Sequence, residues 1–246
     1  MFTVSDRERL REELIDTARK DEEVIGAALV GSAATGREDA WSDIDLMLQT
    51  RDGTDPGAVA ERWTADFYTR HGAVHHLDVY AGEVLYRVFL LESSLQVDVS
   101  FWPHDQFRGT EPGFKVVFGT PNPPTEPKAP DPVQMIGMGW LYALHARSAV
   151  ARERHWQATI MLDHLRDELL ALACVRHGLN HRHGREADRL PPEVLDPLHR
   201  ARAVSIDSQE LIRSKRALLD CFAAEVALHD QALADRLQPA LNQLAN

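Results

Sequence analysis

Three aspartates and one glycine–serine pair carry the chemical signal in this sequence. Asp43 and Asp45 flank Ile44 in Trp41-Ser42-Asp43-Ile44-Asp45-Leu46, where the alternation of apolar residues reads as the start of a strand. Side chains two apart on a strand share a face, so this spacing puts both carboxylates on one side and Ile44 and Leu46 on the other. Carboxylates held that close repel unless a divalent cation joins them. Mg²⁺ suits such a pair, because it takes hard oxygen ligands and shares them with substrate phosphates. Upstream, the apolar run Val24–Val30 ends in Gly31-Ser32, and ten residues separate Ser32 from Asp43. Without a Cβ, Gly31 lets backbone approach a bulky polyphosphate. Ser32 adds a hydroxyl, and successive N–H groups at a turn before a helix form an anion-binding concavity. Arg37, just after Thr35-Gly36, either reaches a triphosphate or lies on a loop surface.

A third carboxylate lies in Leu95-Gln96-Val97-Asp98-Val99-Ser100-Phe101-Trp102. Val97 and Val99 face a core, and Asp98 faces the other way with Gln96 and Ser100. An unpaired charge inside an apolar strand is costly, so Asp98 asks for a partner. Three acids on adjacent strands beside a phosphate-binding turn describe a two-metal phosphoryl-transfer site. Asp78, between Leu77 and Val79, competes for the third position, although the adjoining His75 and His76 favour a polar face or pocket wall. Glu83 and Glu92, at strand ends, are alternative general bases.

Gly31-Ser32-x10-Asp43-x-Asp45, with Asp98 later, resembles the DNA polymerase β-type nucleotidyltransferase superfamily over about residues 24–101. A compact catalytic half followed by a helical half further resembles the antibiotic nucleotidyltransferases, which adenylylate aminoglycosides and lincosamides. The resemblance implies that Ser32, with Gly31 and Arg37, binds the nucleotide phosphates. It implies that Asp43 and Asp45 hold Mg²⁺, and that Asp98 holds a second Mg²⁺ or accepts the proton of the attacking hydroxyl. Some antibiotic-modifying members place that base on a Glu. The implied reaction moves a nucleoside monophosphate, most simply AMP from ATP, with another NTP as the alternative co-substrate, onto a hydroxyl of a small molecule such as an aminoglycoside or lincosamide. The alternative is an antitoxin-type enzyme that adenylylates a hydroxyl on a partner protein.

The elements that must position these residues follow from periodicity. A first helix is expected over Ser5–Lys20, with Ser5 and Glu8 as a capping box. Strands are expected at Val24–Val30, Ile44–Leu48, Leu77–Tyr80, Val84–Leu91, Leu95–Trp102 and Phe114–Phe118, with a helix from Asp55–Gly57 to about His71. Six of the chain's 13 prolines crowd into the segment from Gly119 to Pro132, which predicts an extended connector. Beyond it helices are expected near Pro132–Ala151, His155–His177, Ser208–His229 and Ala232–Leu244, with a polar loop rich in His and Arg between the second and third. Asp163 and Asp167 share a helical face and suggest either an acidic pocket for an ammonium group or a solvated face neutralised by Arg166. The expected fold is α+β: a mixed-sheet nucleotidyltransferase domain over residues 1–120, a Pro-rich linker over 121–130, and a helical substrate-binding bundle over 131–246.

Composition sets outer limits. The 246 residues carry 27 Lys and Arg against 38 Asp and Glu, a net charge of −11. That balance disfavours gripping a nucleic-acid backbone over the whole surface and is compatible with a cationic substrate. Two cysteines, Cys174 and Cys221, make no disulfide framework, and the N-terminus has no apolar leader, so a cytoplasmic protein is expected. No run approaches the roughly 20 apolar residues of a membrane span.

Overall fold

The computed structural model describes residues 2–110, 113–126 and 128–245, so Pro127 of the expected linker, and the end residues Met1 and Asn246, lie outside it. The chain divides into two compact units, Met1–Lys128 and Ala129–Asn246.

The first unit contains α1 (Val4–Lys20), β1 (Val24–Leu29), α2 (Gly31–Thr35), β2 (Ile44–Thr50), α3 (Pro56–Arg70), β3 (Ala73–Ala81), β4 (Val84–Leu91), β5 (Gln96–Trp102) and β6 (Lys115–Phe118). The strands form one mixed sheet in the order β3-β4-β5-β2-β1-β6. All neighbours are antiparallel except β2 and β5, which run parallel. One sheet face is sealed by α1 and α3 over Ile44, Leu46, Leu48, Val97, Val99 and Phe101, all buried. On the opposite face a smaller cluster of Ala28, Met47, Val84, Trp102 and Phe107 covers one end of the strands. The architecture is the expected α+β one.

Two local readings change. The first helix begins at Val4 with Thr3 as its cap, and the capping box joins Thr3 to Asp6 in place of Ser5 to Glu8. With Ser5 already inside the first turn, the orphan N–H of Asp6 takes the Thr3 hydroxyl. Strand β2 begins at Ile44 as expected, and what changes is Asp43: expected to share a strand face with Asp45, it is the last loop residue before the strand.

The second unit is a bundle of α4 (Pro132–Ala151), α5 (His155–Arg176), α6 (Pro192–Ala201), α7 (Ser208–His229) and α8 (Gln231–Ala245) around Leu162, Leu165, Leu169, Leu218, Phe222 and Val226. The loop expected between the second and third helices holds two short 3₁₀ turns and the whole of α6. Pro192 and Pro197 hid this helix. Pro192 opens it, where no intrahelical N–H is needed, and Leu198 and Ala201 still reach the core. Among the described residues no helix is long and apolar enough to cross a membrane.

Candidate functional site

The site begins where β1 leaves the sheet. The Val30 N–H donates to the Asp45 carbonyl at 3.3 Å, which holds the end of β1 against β2. Gly31 then turns with φ +62°, and a Cβ there would collide with the Asp45 carboxylate oxygen Oδ2. The absent side chain therefore makes room for a carboxylate as well as for any incoming phosphate. Ser32 is half-buried in the single turn and a half of α2, whose carbonyls accept from the Thr35 hydroxyl and the Arg37 N–H. Arg37 is exposed beyond this helix, and its Nε donates to Thr35 Oγ1 at 3.3 Å.

Parallel pairing of β2 with β5 sets Asp45 directly opposite Asp98. One carboxylate oxygen from each of Asp43, Asp45 and Asp98 lies within 4.8 Å of the others, and all three residues are half-buried. Gln96, two residues from Asp98 on the same face, donates from Nε2 to Asp98 Oδ1 at 3.0 Å and to Asp43 Oδ2 at 3.4 Å. Burial pushes the Asp98 carboxyl up to about 6, with the negative charge of Asp43 adding to the shift and the Gln96 hydrogen bond opposing it. Hard oxygen donors crowded to this degree fit a hard divalent cation such as Mg²⁺, whose charge would offset their mutual repulsion. Sequence reasoning placed Gln96 on this face and gave it no role. Its role emerges only from the packing of β5 against the residue preceding β2.

Arg7 was missed altogether. It is almost fully buried, and its Nη1 donates to the carbonyls of Asp39 at 2.5 Å and Ser42 at 3.1 Å. Its Nε lies 3.3 Å from Glu38, which Arg11 also meets at 2.5 Å. The segment leading into Asp43 is thus fastened to α1, and Asp39 closes its own turn through the Trp41 N–H and the Ser42 hydroxyl. A signal was available: Arg7 occupies the same helical face as Leu10, Leu14 and Ala18, where an apolar residue is the rule.

Asp78 stands elsewhere. It pairs across the sheet with Arg87, which pairs with the core residue Val99, so Asp78 points to the helix-covered face and Asp98 to the other. Arg87 is buried and donates to both Asp78 oxygens at 2.6 and 2.7 Å, to Glu61 at 2.9 Å and to Thr64 Oγ1 at 2.7 Å. This pairing holds the Asp78 carboxyl below its usual range. Glu83 accepts from Gln106 at 2.5 Å, and Glu92 is exposed. In the second unit Arg166 bridges Asp163 at 2.7 Å and Asp167 at 3.0 Å, so that acidic helical face carries its own counter-charge.

Comparison with curated protein sequences finds no match. Among solved structures, the chain is similar to an aminoglycoside 6-adenyltransferase from Bacillus subtilis at 13% identity and TM-score 0.37, covering 94% of this chain and 95% of that one. It is similar to a nucleotidyltransferase-like protein from Exiguobacterium sibiricum at 11% identity and TM-score 0.39, over 95% and 80% of the two chains. A third likeness, to the polymerase core of the TRAMP RNA surveillance complex, has 14% identity and TM-score 0.31, over 91% and 59%. The family model that matches is the nucleotidyltransferase domain, and it covers residues 10–112, from within α1 past the end of β5. Residues 10–112 are therefore a nucleotidyltransferase domain.

Proposed function

We propose that the protein transfers AMP from ATP to a hydroxyl of a small molecule and releases pyrophosphate. The observation that carries this reading is the meeting of Asp43, Asp45 and Asp98 within 4.8 Å, with Gly31 packed against the Asp45 carboxylate. Asp43, Asp45 and Asp98 hold Mg²⁺, which supplies charge neutralisation at the triphosphate and Lewis acidity toward the acceptor hydroxyl. Ser32 and the backbone of the Gly31 bend bind the outer phosphates, and Arg37 adds positive charge on the solvent side. The acceptor oxygen attacks the α-phosphorus, the bond from that phosphorus to the bridging β-oxygen breaks, and pyrophosphate carries away the electron pair. An Asp98 carboxylate oxygen accepts the hydroxyl proton. Catalysis then rests on positioning and charge stabilisation, with no covalent enzyme intermediate.

Labelled ATP, Mg²⁺ and a panel running from polycationic aminoglycosides to lincosamides test the reading. AMP-bearing products and pyrophosphate are expected from the wild type, and neither from the D43N/D45N double variant. A wild-type protein whose ATP binding shows no dependence on Mg²⁺ in calorimetry would overturn it.

A further inference from the structure

Cross-strand pairing places an apolar surface in line with the carboxylates. Leu77 on β3 pairs with Val88 on β4, Val88 with Asp98 on β5, and Asp98 with Asp45 on β2. Directly paired residues point to the same face, so this single row runs from two apolar side chains into two of the three acids. The row on one side is Val79, Tyr86, Ser100 and Met47, and the row on the other is His75, Leu90 and Gln96. On the helix-covered face β4 buries Leu85, Arg87 and Phe89, whereas Tyr80 of β3 is exposed. On this face Leu77, Val79 and Leu90 are 60%, 47% and 49% exposed. Strand spacing of about 4.8 Å sets Leu77 about 10 Å from Asp98, the reach of a small molecule. Contiguous exposed apolar side chains beside a reactive centre mark a binding surface.

We infer that this open face of β3 and β4 is the acceptor platform, and that it takes a hydroxyl-bearing molecule with an apolar face and little positive charge. The inference rests on the proposed transfer to a small-molecule hydroxyl and names the acceptor class. The charge pattern decides against a polycation. Among the described residues, β3 and β4 present no Asp or Glu on this face, and its titratable groups are the His75 imidazole and the Tyr86 phenol. The nearby acids Asp43, Asp45 and Asp98 are committed to the cation. The negative net charge of the chain as a whole therefore gives no ammonium partner here. An acceptor laid on Leu77, Val88 and Leu90 presents its hydroxyl to Asp98 at the end of the row.

The test compares wild type with the L77N/L90N double variant, both substitutions lying at exposed positions where folding tolerates them. Two probes are titrated by saturation-transfer NMR with Mg²⁺ and a non-hydrolysable ATP analogue present: 4-phenylbutan-1-ol and the polycationic aminoglycoside fragment neamine. Tighter binding of the aromatic alcohol, weakened about tenfold in the double variant with nucleotide affinity unchanged, is expected. Tighter binding of neamine, or an alcohol Kd unmoved by the double variant, overturns the acceptor platform and leaves the transferase reading intact. Failure of the wild type to bind the Mg²⁺–nucleotide complex removes the transferase reading, and the platform with it. Conversion of a dimer to a monomer by the double variant, with the alcohol Kd unchanged, assigns the patch to a second copy of the chain and also overturns it.

Discussion

Gly31 packs its bare α-carbon against the Asp45 carboxylate, in a left-handed conformation with φ +62°. Two independent constraints meet at this residue. Positive φ disfavours any side chain, and the space a Cβ needs is already occupied by Oδ2. G31A must therefore displace the acid or reshape the bend. We expect about 1–3 kcal/mol of destabilisation and at least about a hundredfold loss of nucleotidyl transfer. Chemical denaturation and turnover measured together check this. Activity retained within about twofold would show that Asp45 does not need its observed position.

Asp98 gives a signed pH prediction for the metal-free protein. Its carboxyl is raised from 3.8 to about 6, so the folded state holds a proton that the unfolded chain has already released. The stabilisation from that proton is complete below about pH 4 and is lost as the pH rises through about 6. Replacing Asp98 with Asn removes the penalty. In chelator at pH 8, D98N should be more stable than wild type by on the order of 1–3 kcal/mol, with the difference vanishing near pH 4. The same substitution should abolish transfer and blunt the stabilisation by Mg²⁺. Thermal melts at both pH values, with and without Mg²⁺, read all three effects.

Arg7 is expected to act at a distance through the loop it pins. R7M removes hydrogen bonds to the Asp39 and Ser42 carbonyls and leaves Glu38 with Arg11 alone. A loss of about 2–4 kcal/mol in stability follows from deleting a buried charge with its partners in place. Because Ser42 precedes Asp43, Mn²⁺ binding measured by electron paramagnetic resonance should weaken about tenfold. R7K, which keeps the charge, should restore part of that affinity. Unchanged Mn²⁺ affinity in folded R7M would reduce Arg7 to a packing residue.

How much of this was legible beforehand depends on the range over which each residue acts. Asp43, Asp45 and Asp98 stand out because charges interrupt apolar strands, a pattern visible within a few residues. Gln96 and Arg7 act across strand pairing or between a helix and a distant loop, and neither leaves a local trace beyond Arg7 standing in an apolar stripe. Asp78 is the instructive case. Like Asp98 it sits between two apolar residues on a strand, yet Leu77 and Val79 are exposed whereas Val97 and Val99 are fully buried. Alternation alone says that an acid and its neighbours face opposite ways. Only the pairing of Asp78 with Arg87 and of Asp98 with Val88 says which way is inward. In the second unit, prolines at the start and middle of α6 masked a helix that its apolar spacing would otherwise have announced.

That difference between two aspartates can be measured. D78N leaves Arg87, which is buried, without the carboxylate that accepts two of its hydrogen bonds, while Glu61 and Thr64 remain. We expect a loss of about 2–3 kcal/mol, since a buried charge is left with weaker partners. The sign with pH is opposite to that of Asp98. The Asp78 carboxyl is lowered, so its stabilisation is present above about pH 4 and is lost as the pH falls through the folded-state value. The gap between D78N and wild type should accordingly be widest at neutral pH and close in acid. Transfer per folded molecule should be unchanged within about twofold, because Asp78 faces α3 and the carboxylate cluster faces away from it. A large drop in turnover at full folding, with Mg²⁺ affinity reduced, would place Asp78 among the metal ligands and overturn the assignment of the two sheet faces.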